Sequence, residues 1–193
     1  MMYQKEMDIY LSVIKQLKPK RCLEWGSGFS TLYFPNFIAQ DSSWLSLEHH
    51  SDWAERVKDL NENHQVEVAT IPPTQPHNEG DGTYEQFKDY IEYPSGQTFD
   101  LIMVDGRART ECVRKGAQLL SESGVILLHD ANRKKYHAVM DSLDHTALFT
   151  DHRKHYAGIW LGSHRPLEQV LDVDFHHRVW QVHRQIARYV LFK

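Results

Sequence analysis

Tyr3, Met7, Tyr10, Leu11, Ile14 and Leu17 recur at spacings of three and four. That period places them on one face of a helix, and Pro19 stops it. The pattern then shortens. Arg21–Trp25 reads as a buried strand ending in Gly26-Ser27-Gly28. A helix is expected from about Thr31 to Ala39. Pro35 lies inside it, so the helix either starts late or is kinked. Trp44–Glu48 is a second strand. Ser51 can cap the next helix, with Asp52 in its first turn and Trp53, Val57 and Leu60 on its buried face.

Val66–Ala69 is a third strand. From Ile71 to Gly82 the apolar pattern gives way to Pro72, Pro73, Pro76, Gly80 and Gly82, which is loop chemistry. A short helix is expected over Thr83–Glu92. Phe99–Asp105 and Gly124–Asp130 are apolar almost throughout, as suits strands covered on both faces. Thr110–Leu120 between them is a helix with Val113, Ala117 and Leu120 on one side. A helix over Arg133–Asp141 follows. Thr146–Thr150 and Tyr156–Gly162 read as two strands joined by a short polar turn. The segment from Pro166 to Lys193 is polar, with Val170, Leu171, Trp180, Ile186, Tyr189 and Val190 spread along it.

Strand and helix alternate, then two strands meet without a helix. The expected fold class is α/β: a Rossmann-like, doubly wound, mostly parallel seven-stranded sheet with a C-terminal antiparallel hairpin. With 193 residues the chain suits one domain. Residues 1–20 form its N-terminal helix, 21–162 its core and 163–193 an extension.

Composition narrows the function. A net charge of −4 gives no bulk attraction to nucleic acid. No apolar run approaches the roughly 20 residues that span a bilayer, so no membrane partner is expected. The first residues lack the apolar stretch of a secretory signal. Cys22 and Cys112 both sit in apolar contexts, and two buried free thiols in a cytoplasmic protein is the reading they suggest.

Open α/β sheets bind ligands beyond the carboxyl ends of their strands. After the first strand comes Glu24-Trp25-Gly26-Ser27-Gly28-Phe29-Ser30-Thr31. Its glycines permit a sharp turn and close ligand approach. Glu48 ends the second strand, twenty residues beyond Gly28. Its carboxylate can accept hydrogen bonds from the adjacent hydroxyls of a ribose. Asp105-Gly106-Arg107 follows the fourth strand and His129-Asp130 the fifth.

The Glu-x-Gly-x-Gly-x-Ser run resembles motif I of class I S-adenosylmethionine (SAM)-dependent methyltransferases. Glu48 matches that family's ribose-binding acid, and the resemblance covers about residues 21–162. More narrowly, Val-Asp-Gly-Arg-Ala-Arg at 104–109 and Leu-His-Asp-Ala-Asn-Arg at 128–133 are similar to a methyltransferase-like group distantly related to small-molecule and sugar O-methyltransferases. The resemblance implies SAM as cofactor. Gly26, Ser27 and Gly28 would line its methionine part, with Ser30, Thr31, His49 and Asp105 nearby. Glu24 would lie near its ammonium group.

A small-molecule acceptor is expected, with O-methylation favoured. His129 is the first candidate for the base that takes a hydroxyl proton, with Asp130 and Asp105 as alternatives. His129 could equally support the loop. Catechol-type O-methyltransferases place an aspartate after strand four and an Asp-Asn pair after strand five. Asp105 and Asp130 match the aspartates, but Ala131 follows in place of asparagine, so no metal is expected. The thirteen histidines form no Cys/His ligand framework. Arg107 and Arg109 either bind an anionic acceptor or form salt bridges. A homodimer contact would run through Trp180 and Tyr189. The segment from Ile71 to Ser95, with the first helix, is the expected lid. Two other readings stay open: a catalytically silent module binding SAM or S-adenosylhomocysteine (SAH), and an NAD-dependent oxidoreductase. For the latter, Thr31 occupies the third glycine position of the dinucleotide fingerprint.

Overall fold

A computed structural model describes residues 2–77, 80–150 and 157–191, with side chains to residue 186. Seven strands form one sheet: β1 (Arg21–Trp25), β2 (Ser43–Glu48), β3 (Val66–Thr70), β4 (Phe99–Val104), β5 (Leu120–His129), β6 (His145–Phe149) and β7 (Ile159–Ser163). Their order is β3-β2-β1-β4-β5-β7-β6. The first five are mutually parallel. β7 runs antiparallel to both β5 and β6, giving the expected closing pair. The turn expected between β6 and β7, flanked by His152 and His155, lies outside the described residues, as does Tyr156, the expected start of the last strand.

Alternation along the central strands explains the layers. Leu101 and Met103 of β4, with Val125 and Leu127 of β5, face a core shared with α1 (Gln4–Leu17) and α6 (Val173–Leu191). Ile102 and Val104, with Ile126 and Leu128, face the other core, which includes residues of α4 (Lys88–Glu92) and α5 (Arg109–Leu119). A strand covered on both sides has no polar face to spare. Cys22 and Cys112 are both buried and free, as expected.

Several elements depart from the sequence reading. The helix expected at Thr31 starts earlier, as α2 (Phe29–Tyr33), and tightens into a 3₁₀ turn at Phe34–Phe37. Pro35 sits in the first turn of that segment, where its missing N–H costs least. In α3 (Ser51–Leu60) the N-cap is His50, not Ser51. Ala54 and Val57 are buried there, whereas Trp53 and Leu60 are exposed. The segment after β5 forms a 3₁₀ turn over Lys134–Val139 in place of an α-helix.

The nineteen-residue α6 has no counterpart in the sequence reading. Its buried face is carried by His176 and Trp180, against Phe149. Asp172 caps it by accepting the Phe175 N–H at 2.8 Å. Lys5 lies 4.1 Å above the Trp180 ring. Trp180 is thus buried against its own chain, while the Tyr189 side chain lies outside the described residues.

Ile126 is fully buried at the centre of the sheet. Ile126→Ala should destabilise the fold by ~2–5 kcal/mol. A melt followed by circular dichroism should fall by about 2–4 °C per kcal/mol. An unchanged midpoint would contradict this packing.

Candidate functional site

The chain crosses from one side of the sheet to the other between β1 and β4. β2 and β3 lie on one side of this junction, and β4 and β5 on the other. A crevice opens at such a switch point. The turn after β1 lies against the turn after β4. Gly26 has φ of +101°, and a Cβ there would stand 2.5 Å from the Gly106 Cα. Only glycine lets these two backbones approach so closely.

A cavity of about 1050 Å³ occupies this crevice. Gly26, Ser27, Gly28 and Ser30 form one wall, and Glu48 and His49 another. Asp105, Gly106, Arg109 and His129 close the far end. A neighbouring cavity of about 580 Å³ shares His49, His50 and Arg107 and adds Pro73, Pro76 and His77. The loop expected as a lid therefore borders the crevice, and α1 contributes Met7 to the first cavity.

Glu48 is nearly buried and well supplied with donors. Its Oε1 accepts the N–H groups of His49 and His50, both at 2.9 Å, and its Oε2 accepts that of Ser27 at 3.0 Å. The His49 Nδ1 lies 2.8 Å from Oε1. Burial pushes the carboxyl pKa up, but these donors outweigh it and hold the group below its ordinary value.

Glu24 does not reach either cavity. It is fully buried and accepts hydrogen bonds from Thr31 Oγ1 (2.8 Å), Trp44 Nε1 (2.9 Å), Ser46 Oγ (3.0 Å) and the Ser30 hydroxyl. Burial dominates its titration and raises its pKa to about 7. Thr31 is also fully buried, and its hydroxyl accepts the Gly28 N–H at 2.9 Å. Both residues hold the glycine turn in shape from behind.

The catalytic candidates form one charge cluster. His129 Nδ1 stands 2.9 Å from Asp105 Oδ1, and its Nε2 stands 3.5 Å from Glu6 Oε2. Glu6 also accepts the Tyr3 N–H at 2.7 Å and the Gly158 N–H at 2.9 Å. Burial alone would lower the His129 pKa. The two carboxylates outweigh it and raise the value to about 10. That favours the imidazolium, a form with no free lone pair with which to take a proton from an acceptor. Asp105 is held below its ordinary value, because His129 and Arg109 outweigh the effect of burial.

Arg109 joins the cluster from α5. Its Nη2 lies 2.9 Å from Asp105 Oδ1, and its Nη1 3.5 Å from Asp130 Oδ2. The same side chain donates to the backbone carbonyls of Gly106, His129 and Asp105. Asp130 pairs with Arg133 at 2.6 Å and does not line the cavity. Of the two readings for Arg109, the structure shows the salt bridges. Glu6 was missed in the sequence because nothing marks an acid on an N-terminal helix as a partner for the end of β5. Trp53 was read as core. Its ring lines the cavity instead, with Nε1 donating to Ser27 O at 2.8 Å.

No protein-family model matches the chain, and no curated protein sequence does either. Solved structures do match. A cofactor-bound protein from MTB superposes with a TM-score of 0.65 at 19% identity, covering 86% of this chain and 83% of that one. A methyltransferase-like protein from Silicibacter pomeroyi gives 0.57 at 22% identity, covering 86% and 88%. An O-methyltransferase from Bacillus cereus in complex with SAH gives 0.57 at 17% identity, covering 80% and 79%. This is the Rossmann-like methyltransferase fold. Among the described residues, no helix is long and apolar enough to cross a membrane.

Two outcomes test this geometry. Gly26→Ala should cost ~1–3 kcal/mol from backbone strain, and urea unfolding with an unaltered midpoint would refute the close approach. The His129 pKa is raised on folding, so the stability it contributes is complete below its unfolded value of about 6.5. That contribution is lost as pH rises through about 10. The stability difference between wild type and His129→Gln should therefore shrink from pH 7 to pH 10. A constant difference would mean that the ring is not held as a cation.

Proposed function

We propose that this chain is a SAM-dependent methyltransferase acting on a small acceptor through an oxygen atom. The observation that carries the reading is the glycine turn after β1 facing Glu48 across one cavity at the sheet's switch point. The Bacillus cereus neighbour, an O-methyltransferase in complex with SAH, supports the same assignment. Gly26, Ser27 and Gly28 would hold the methionine part of the cofactor, with Ser30 close by. Glu48 would hold the ribose: after accepting the Ser27 N–H, its Oε2 keeps a second acceptor position. His49 would border the ribose, and the base would extend towards Pro73, Pro76 and His77 in the neighbouring cavity.

When bound, SAM supplies a methyl group on a sulfonium that is already a good leaving group. The protein's task is to place the acceptor oxygen in line behind that methyl. Asp105 would orient the acceptor and, where a proton must leave, receive it. Its depressed pKa makes it a weak base, so it suits an oxygen that is already ionised at neutral pH, as in a carboxylic acid. His129 and Arg109 would keep Asp105 ionised and aimed.

The pairing of His129 between Asp105 and Glu6 equally suits a silent SAM-binding module, which would bind cofactor yet turn over no member of an acceptor panel. Calorimetry with SAM, SAH and NAD tests the cofactor. SAM and SAH should bind at micromolar concentration and NAD should not. Glu48→Ala should weaken binding by about 10–100-fold, as expected for hydrogen bonds to a charged group. Failure of folded protein to bind either SAM or SAH would overturn the proposal, and binding of NAD alone would favour an oxidoreductase.

A further inference from the structure

Asp105, His129 and Asp130 offer ligand atoms within 4.8 Å of one another, a spacing that a divalent ion could bridge. Catechol-type enzymes use the two matching aspartates with an asparagine. The residues of this chain do not fit that group. Ala131 stands where the asparagine would be and is fully buried. Asn132 is drawn off towards β7, its backbone N–H donating to Ala157 O at 3.0 Å.

The space between the carboxylates already holds positive charge. Arg109 is the first residue of α5, and Ala108 before it adopts a left-handed conformation with φ of 47°. That turn places the guanidinium under the ends of β4 and β5. It lies 2.9 Å from Asp105 and 3.5 Å from Asp130 and is anchored by three backbone carbonyls. Arg133 shares Oδ2 of Asp130 with Arg109, and His129 shares Oδ1 of Asp105 with it. A hard divalent ion needs several oxygen ligands at close range. Here it would have to displace a guanidinium that cannot shed its proton.

The geometry points to Arg109 as the resident cation of this site, occupying the place between Asp105 and Asp130 that a divalent metal would otherwise take. Its part in methyl transfer rests on the methyltransferase reading, but its occupancy of the carboxylate pair does not. Arg109 is a positioning residue: it fixes the direction and ionisation of Asp105 and ties β4 to β5 with one side chain.

The test is a Mn²⁺ titration followed by the electron paramagnetic resonance signal of the free ion, on full-length protein dialysed against chelator. Wild type and Arg109→Lys should leave that signal unchanged to millimolar Mn²⁺. Arg109→Met should gain one Mn²⁺ site at least ten-fold tighter than any in wild type. The gain should vanish in Arg109→Met/Asp130→Asn. A wild-type site that Asp130→Asn abolishes would overturn the assignment, and so would a folded Arg109→Met that gains none. If Arg109→Met does not fold, the wild-type titration alone decides. SAH calorimetry on the same wild-type protein separates the two ideas. Loss of SAH binding would sink the methyltransferase reading and leave the Mn²⁺ result to judge the cation.

Discussion

Burying a charge costs several kcal/mol unless a partner is buried with it. At the ends of β4 and β5 the chain buries several together. Glu6, His129, Asp105, Arg109, Asp130 and Arg133 form a run of alternating sign in which each charge stabilises its neighbour. The run begins on α1 and ends just past β5, so it ties the N-terminal helix to the middle of the sheet. Removing one member would strand the charges on either side of it. The aim of Asp105, the ionisation of His129 and the seat of α1 are thus one constraint.

A second constraint is purely steric. The crevice exists because β1 and β4 are neighbours whose chains depart in opposite directions. It is narrow because Gly26 and Gly106 touch. Glu24 reinforces this from inside, gathering four donors from α2 and β2. The wall of the cavity is therefore shaped by side chains that never meet its contents.

The sheet was legible in the sequence because its strands are short apolar runs bounded by glycine, proline and acids. Gly26, Ser27, Gly28, Ser30, Glu48, His49 and Asp105 were legible as cavity residues because each follows a strand at its carboxyl end. The rest depended on long-range contacts. α6 was hidden because its buried face includes a histidine that counts as polar in any periodicity. Glu24 and Thr31 belong to the motif by position, yet their polar atoms are consumed by neighbours that local spacing does not reveal. The local environment of His129 was illegible for the same reason. Its ordinary pKa suggests a base, but Glu6, 123 positions earlier in the chain, helps to hold its proton in place.

Trp53 carries a consequence of another kind. Trp25, Trp44, Trp160 and Trp180 are buried, whereas Trp53 is 46% exposed and lines the cavity. Its indole is pinned to the glycine turn through Ser27. Light absorbed by the four interior rings is re-emitted from surroundings that the fold sets and the crevice does not reach. The red side of the emission belongs to one ring that any occupant must pass or cover. The chain has a built-in optical gauge of occupancy, with its background fixed by its own core.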